Sequence, residues 1–463
     1  MSILLDKTKK AFLKISNIFS VRKSFDKLSN FLSRVPPVKI ITYGYLFNII
    51  FGFIVLSLPI CQTSSIKPID NFFIVSSAVS TTGLVSIVVC EKYNYFGQFI
   101  LFALIQFSGI GYMTFASFLI LTTRKVLNEQ ARMVFQTVYS FPENFKVESF
   151  LVHVISFTFI IESLGAIGLY FAFSAAGVDN ALWQAVFASM SAFCTAGFTL
   201  FPDNLMGFRD DFWVNAIISA LSLLGAIGFI VFVDVWKMIK GYQSKITLTS
   251  KIILVTTGWM LVIGTILTIF TEHYEQANSV YQRILISFFH VTAAMSTAGF
   301  NTIDVSVMTK STLMLLILYM IIGGSPSGTG GGIKTTTFTV MLGYVKSAIQ
   351  GRKEITFWNA VIPEHRVRTA MASLCFYVST YILGTYLLSL AEQKDILTLA
   401  FETASALGTV GLSMNCSPAL TDIGKIIVSV IMYIGRVGPL VFGFAVFAKP
   451  QLIYNPEKQD LAV

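Results

Sequence analysis

Long apolar runs broken by short polar segments dominate the chain. Stretches such as 96–121, 150–173, 252–270 and 426–447 reach the ~20 apolar residues that a helix needs to cross a ~30 Å hydrocarbon core. Other apolar stretches, 183–193 and 396–407 among them, are about a dozen residues long and too short to cross. The pattern predicts full spans alternating with re-entrant half-helices. Irregular backbone after such a half-helix is tolerated at membrane depth only where protein or a water-filled cavity satisfies its N–H and C=O groups.

One short motif returns four times: Ser80-Thr81-Thr82-Gly83-Leu84, Cys194-Thr195-Ala196-Gly197-Phe198, Ser296-Thr297-Ala298-Gly299-Phe300 and Gly408-Thr409-Val410-Gly411-Leu412. Aligned on the glycines, a Phe stands ten places earlier each time, at Phe73, Phe187, Phe289 and Phe401. Small residues occupy the sixth and fifth places before: Ser77-Ala78, Ser191-Ala192, Ala293-Ala294 and Ser405-Ala406. A single TxG would mean little in an apolar chain rich in Thr and Gly, but four copies in register at Phe, small-small, Thr and Gly mark an internal repeat. Each copy lies between two apolar runs, so the unit reads span, short helix, TxG turn, span.

The expected architecture is an all-α integral membrane protein with four pseudo-symmetric span, pore-helix, span repeats. It has eight transmembrane spans and four re-entrant pore loops around one central pore. First spans fall near 40–60, 149–173, 250–270 and 369–390, second spans near 95–121, 213–236, 311–345 and 424–447. The resulting division is a basic tail 1–39, repeats 40–121, 149–240, 250–345 and 369–447, and a tail 448–463.

Composition agrees with lipid as the solvent. Of 463 residues 54% are hydrophobic and 12% charged, with a mean hydropathy of +0.72. That is too little polar surface for a soluble globule of this length. Residues 1–39 are basic, and the first long apolar run begins only near Ile40, so they predict a cytoplasmic tail rather than a secretory signal. Of the 33 Lys and Arg, 24 fall in the tails and inter-repeat loops and seven in the segments on the other side, which places both termini in the cytoplasm and the TxG turns toward the outside. Twelve acidic residues, including Asp203, Asp210, Asp211, Glu272 and Glu275, accompany those seven. A mouth of net charge −5 would concentrate cations, although acidic outer loops also follow simply from basic residues being kept inside. The net +9 is accounted for by the same topology and by anionic lipid, and no nucleic-acid partner is expected.

Enzyme chemistry finds no support. His153, His273, His290 and His365 are scattered, without an HExxH pattern or a nucleophile elbow. Cys61, Cys90, Cys194, Cys375 and Cys416 have no metal or redox spacing, and burial as free thiols is their expected state. No Walker motif is present, so no cofactor is expected on this chain.

A TxG turn at this place suits a dehydrated cation. Rings of backbone carbonyls can replace an ion's water, and Gly takes at little cost the dihedrals needed to aim successive carbonyls at one axis. This assigns Gly83, Gly197, Gly299 and Gly411 to a filter, with Thr82, Ala196, Ala298 and Val410 before them. Thr81, Thr195, Thr297 and Thr409 add a hydroxyl or carbonyl at its inner end. Short pore helices would point their partly negative ends at the cavity. Two further features stand out. The run Gly323-Gly324-Ser325-Pro326-Ser327-Gly328-Thr329-Gly330-Gly331-Gly332 cannot be helical at ~1 kcal/mol per Gly and ~3 for Pro, and the apolar 313–322 before it is too short to span alone. It reads as a loop inside the membrane, with a linker between two helices as the alternative. Arg436, in Gly435-Arg436-Val437-Gly438-Pro439, is an intramembrane charge and so a functional candidate. An ion pair with Glu402 or Glu162 is a second possibility for it, and Glu162 and Asp234 read as packing groups rather than transport carboxylates.

Over residues 36–450 the four-fold unit with one glycine per loop resembles the Trk/Ktr/HKT superfamily of potassium transporters, and is most like the membrane subunits of bacterial Ktr systems. The fourth loop is nearest to the TVGYG of potassium channels, while the other three lack a second glycine. The resemblance implies potassium, held at the filter carbonyls, as the transported ion, with Gly rather than Ser in the first loop arguing against sodium. It also implies an intramembrane gating loop under the filter, with Gly323, Gly324, Ser325, Gly328, Gly330, Gly331, Gly332 and Lys334 as gating residues and Arg436 facing the pore. A homodimer is implied too, with a cytoplasmic RCK-type regulatory subunit binding a nucleotide, either ATP/ADP or NAD. The alternatives are a secondary transporter with broken helices moving another solute, or a sodium-permeable member of the same superfamily.

Overall fold

The computed structural model describes residues 37–111, 147–272, 279–352 and 354–447. The tails 1–36 and 448–463, the loop 122–146, the end of the run 95–121, and His273 and Glu275 lie outside the described residues. The described chain is almost wholly helical. Its first unit holds α1 (Pro37–Leu56), α2 (Pro68–Ser80) and α3 (Tyr95–Ile110), and its second α4 (Val147–Ala175), α5 (Ala181–Phe193), α6 (Phe212–Ile227) and α7 (Phe229–Ile239). The third holds α8 (Leu248–Thr271), α9 (Val280–Met295), α10 (Lys310–Ile321) and α11 (Thr335–Ile349). After a hairpin of β1 (Thr356–Phe357) and β2 (Ala360–Val361), the fourth holds α12 (Glu364–Ala391), α13 (Ile396–Gly408), α14 (Asp422–Val437) and α15 (Pro439–Phe447).

Among the described residues, four helices are long and apolar enough to cross a membrane: Lys39–Leu56, Val154–Ala175, Leu248–Thr271 and Glu364–Ala391. These are the first spans expected of the four units. They bury a third or less of their residues and expose side chains such as Phe47, Phe171, Phe270 and Leu390, a surface suited to acyl chains. Crossings rise to six if α6–α7 and α14–α15 each count as one bent span.

The second runs of the units differ from the continuous helices that their hydropathy predicts. The 213–236 run turns by 91° between α6 and α7, and the 424–447 run by 96° between α14 and α15. At each break sits a glycine in the left-handed region, Gly228 at φ 92° and Gly438 at φ 91°, a conformation that costs other residues 1–2 kcal/mol. The third unit breaks more widely, between α10 and α11, where the Gly-rich run is folded as a loop. Each second helix opens on a polar cap at its start: the side chains of Asn94, Asp211, Thr309 and Thr421 accept from Gly97, Val214, Thr312 and Gly424 N–H, worth ~1 kcal/mol apiece.

Packing follows the repeat. Phe73, Phe187, Phe289 and Phe401 are each 2% exposed or less, and each is seated in the core of the preceding unit. Phe187 lies among Ile74, Leu101 and Ile105, Phe289 among Leu169, Phe173 and Ile218, and Phe401 among Met260, Leu316 and Met320. Phe73 closes the circle among Leu407, Val428 and Met432 of the fourth unit. Burial of ~1.5–3 kcal/mol per ring is thus spent on the seams between units. Lys425 Nζ donates to Asp70 Oδ1 at 2.7 Å across the first–fourth seam, with both residues buried. The two count among the charges expected at the outer mouth. Their mutual neutralisation leaves its net charge unchanged.

Candidate functional site

The helices α2, α5, α9 and α13 all end on the same turn. The N–H of Thr82, Ala196, Ala298 and Val410 donates to the carbonyl five residues back, on Ser77, Ser191, Ala293 and Ser405, at 2.8 to 2.9 Å. Thr81, Thr195, Thr297 and Thr409 stand at φ 51°, 50°, 58° and 51°, and Gly83, Gly197, Gly299 and Gly411 at 90°, 68°, 70° and 100°. The small residue six places before the glycine supplies an oxygen in three copies: Ser77 Oγ accepts from Gly83 N–H at 3.0 Å, Ser405 Oγ from Gly411 N–H at 3.0 Å, and the Ala293 carbonyl from Gly299 N–H at 3.3 Å. A bulkier residue there would separate turn from helix. The left-handed threonines were not expected, since the sequence pattern lodges the unusual dihedrals in glycine alone.

These four turns, some hundred residues apart along the chain, meet. A Cβ built on Gly83 would lie 2.5 Å from the Ala196 carbonyl oxygen and 2.9 Å from Gly197 Cα. One on Gly197 would lie 2.7 Å from the Ala298 carbonyl oxygen and 3.5 Å from Gly299 Cα. One on Gly299 would strike the Val410 carbonyl, and one on Gly411 the Thr82 carbonyl. The order is cyclic, first to second to third to fourth and back to first. Every carbonyl so approached belongs to the residue before the neighbouring glycine.

The Gly-rich loop lies directly against this ring. It is pinched shut where Ile322 and Ile333 bridge, and Gly324 N–H donates to the Gly331 carbonyl at 3.1 Å. Thr329 meets four elements: its N–H donates to the Gly225 carbonyl at 3.0 Å and its Oγ1 to the Phe193 carbonyl at 3.1 Å, while its Oγ1 accepts from Thr195 at 3.2 Å and its carbonyl from Arg436 at 2.6 Å. Gly331 N–H donates to Thr297 Oγ1 at 3.2 Å, and a Cβ on Gly331 would strike Thr409 Oγ1. A Cβ on Gly328 would sit 2.5 Å from the Ala226 carbonyl oxygen, and one on Gly323 would strike that of Gly331. The glycines are therefore needed for close backbone approach, and that holds the loop under the turns. Ser325 Oγ and Thr335 Oγ1 lie 2.9 Å apart, Gly332 takes φ 69°, and Lys334 Nζ donates to the Gly330 carbonyl at 2.6 Å.

Arg436, at the end of α14, spends its charge on carbonyls. Besides Thr329 it donates to Ser108 and, at 3.5 Å, to Gly109, both at the end of α3, and it faces the Tyr45 ring at 5.7 Å. The alternative ion pair does not form. Glu162 accepts instead from Gln106 Nε2 at 3.1 and 3.0 Å, and Glu402 from the hydroxyls of Ser413 and Ser417. Asp234 accepts from the hydroxyls of Thr247 and Ser250 at the start of α8, where Thr247 itself caps the helix by accepting from Ser250 N–H. Beneath the loop a cavity of about 780 Å³ reaches Lys334, Arg436, Arg366 and Thr337. All five cysteines are free thiols. In the outer segment after the fourth turn, burial pushes the Cys416 thiol up to about 12, with Glu402 adding to the effect and Lys394 opposing it.

Sequence reasoning brought the twelve turn residues, the loop, Lys334 and Arg436 to one place. It missed Thr329 as the loop's point of attachment, Lys425 and Asp70 as a seam, and the bends at Gly228 and Gly438. The recurrence of G-x-x-G in Gly225-Ala226-Ile227-Gly228 and Gly435-Arg436-Val437-Gly438 was the available signal for the bends.

The family model described as TrkH, cation transport protein, matches residues 46–451. The chain is 34% identical over 432 residues to the Ktr system potassium uptake protein B of Bacillus subtilis, covering 92% of this chain and 96% of that one. It is 32% identical to the potassium/sodium uptake protein NtpJ of Enterococcus hirae, covering 90% and 94%. Its fold is similar to the crystal structure of the potassium transporter TrkH from Vibrio parahaemolyticus, with a TM-score of 0.66 at 19% identity over 88% and 85% of the two chains. Four turns meeting beneath the packed seams of a helical, membrane-suited chain thus coincide with a family match over most of its length, and the chain belongs to the TrkH family of cation transport proteins.

Proposed function

We propose that the chain is a potassium uptake subunit of the cell membrane, a multi-pass transporter whose four turns form a selectivity filter around one pore. The observation that carries this reading is the cyclic contact of Gly83, Gly197, Gly299 and Gly411, each turn presenting a backbone carbonyl to the next. Carbonyls and threonine hydroxyls so grouped can replace the water of an alkali ion. In this reading each unit crosses twice, making eight crossings, with the termini and basic loops in the cytoplasm. The names of the two relatives, potassium uptake and potassium/sodium uptake, support an alkali cation as cargo.

The loop carrying Thr329 and Gly331 is the gate, and its contacts with Thr195 and Thr297 correspond to a closed pore. Lys334 and Arg436 hold it there, and their charge opposes cation passage at the inner side. Opening is driven by a cytoplasmic RCK-type nucleotide-binding partner acting on a homodimer. Sodium as an accompanying ion is the second reading, favoured by the relative named for both ions. Uptake of rubidium into proteoliposomes, by the chain lacking residues 325–331 or with its cytoplasmic partner present, is expected to be suppressed by potassium and unaffected by organic solutes. Competition by an organic solute, or no rubidium entry, would overturn the proposal.

A further inference from the structure

Nine residues before each glycine, the four half-helices carry Ile74, Ala188, His290 and Glu402. The first two are apolar, as expected of a position buried behind the turns. The last two are polar, yet both are fully buried, and neither faces the cavity below the loop. Groups of this kind cost ~1–3 kcal/mol when left without partners, so their bonds show what they hold.

His290 Nδ1 lies 2.9 Å from the Ile286 carbonyl oxygen, which can only accept, so Nδ1 carries the proton. Nε2 is left as an acceptor, and it takes the N–H of Thr302 at 3.4 Å. Thr302 is the third residue after Gly299. Glu402 takes the hydroxyl of Ser413 at 2.8 Å on Oε2 and that of Ser417 on Oε1. Ser413 is the second residue after Gly411, and its Oγ in turn accepts the N–H of Cys416 at 3.0 Å. From one register position, two half-helices therefore reach over their own turns and fasten the segment that leaves each of them.

We propose that His290 and Glu402 are positioning residues that set ion preference by fixing the outgoing limbs of the third and fourth turns. Neither touches the path of the ion. Each acts through the backbone, by keeping the carbonyls around Gly299 and Gly411 at one spacing. A limb released from its acceptor gains freedom to close on a smaller ion, so preference for potassium over sodium falls while passage continues. The first and second turns have no such fastening at this position, which makes the third and fourth the exacting half of the ring. This inference rests on the filter reading above.

The test compares rubidium uptake, with potassium or sodium as competitor, in proteoliposomes of Glu402→Gln, Ser413→Ala, their double variant, His290→Leu and His290→Gln, with Gly411→Ser alongside. Ser413→Ala, which deletes the hydroxyl that Glu402 holds, is expected to lower potassium preference about tenfold, and Glu402→Gln, which keeps an acceptor but not the charge, to lower it by less, with total rubidium uptake retained in both. The double variant should fall little further than Ser413→Ala, because the bond between the two side chains is already gone there. His290→Leu should lose preference and His290→Gln, which keeps an acceptor, should recover most of it. Should Glu402→Gln fail to fold, Ser413→Ala, whose side chain lies in a half-buried loop, decides alone. Wild-type preference in Ser413→Ala and His290→Leu, with Gly411→Ser impaired, would overturn the proposal and spare the filter. Wild-type preference in Gly411→Ser would overturn the filter itself, and this inference with it.

Discussion

Thr81, Thr195, Thr297 and Thr409 sit in a backbone region that β-branched residues rarely enter, at a cost of order 1–3 kcal/mol each. Glycine would occupy it freely, so the side chain must be kept for something other than stability. The Thr409 hydroxyl is buried without a hydrogen-bond partner, and under the proposed filter reading it is free to serve as an ion's ligand. Thr409→Gly is accordingly expected to melt no lower than the wild type while losing potassium preference, read by thermal unfolding and by sodium competition in the flux assay. Gly83→Ser and Gly299→Ser should lower both. At φ 90° and 70° a side chain is strained, and its Cβ would press on a neighbouring turn's carbonyl, so a loss of at least ~1–2 kcal/mol in stability should accompany weakened preference. The glycines could be found in the sequence because nothing else fits four times in register. The threonine conformation could not, because a residue's name does not reveal strain that tertiary contacts impose.

Among elements, the seam between α2 and α14 is the one where first and last units must find each other. Removing one charge of a buried pair leaves the other unpaired, which costs ~3–5 kcal/mol, whereas removing both is tolerated. Lys425→Met should therefore melt well below the wild type, and the added change Asp70→Asn should restore more than half of the loss. The loop between α10 and α11 gives a second expectation: deletion of 325–331 should raise rubidium flux sharply, since the contacts to Thr195 and Thr297 go with it. Unchanged flux would remove the loop as a gate. That loop was legible because ten consecutive residues resist helix. The bends at Gly228 and Gly438 were not, because one glycine costs a helix only ~1 kcal/mol and the hydropathy on both sides continues unbroken.

For the whole molecule, the first spans expected from length and apolarity are four continuous helices, whereas the second spans, expected from the same signal, are bent or broken in the second, third and fourth units, because hydropathy runs on across a glycine that ends a helix. Orientation rests on where basic residues lie, and it can be checked by labelling. With the native cysteines replaced, Asp210→Cys in intact cells should react with a membrane-impermeant maleimide and Tyr242→Cys should not until the cells are opened. Both positions are well exposed, so access alone separates them. The reverse pattern would invert the topology.

The circular seating of Phe73, Phe187, Phe289 and Phe401 joins four quarters that are written separately in one gene. A ring assembled from identical copies changes at every corner whenever its gene changes once. Here a single codon alters one corner and leaves three intact, so the quarters are free to diverge. One carries Thr409-Val410-Gly411, another the break that is folded as a loop, and a third the carbonyls of Ser108 and Gly109 to which Arg436 is tied. Division of labour within the ring is a consequence of its being a single thread.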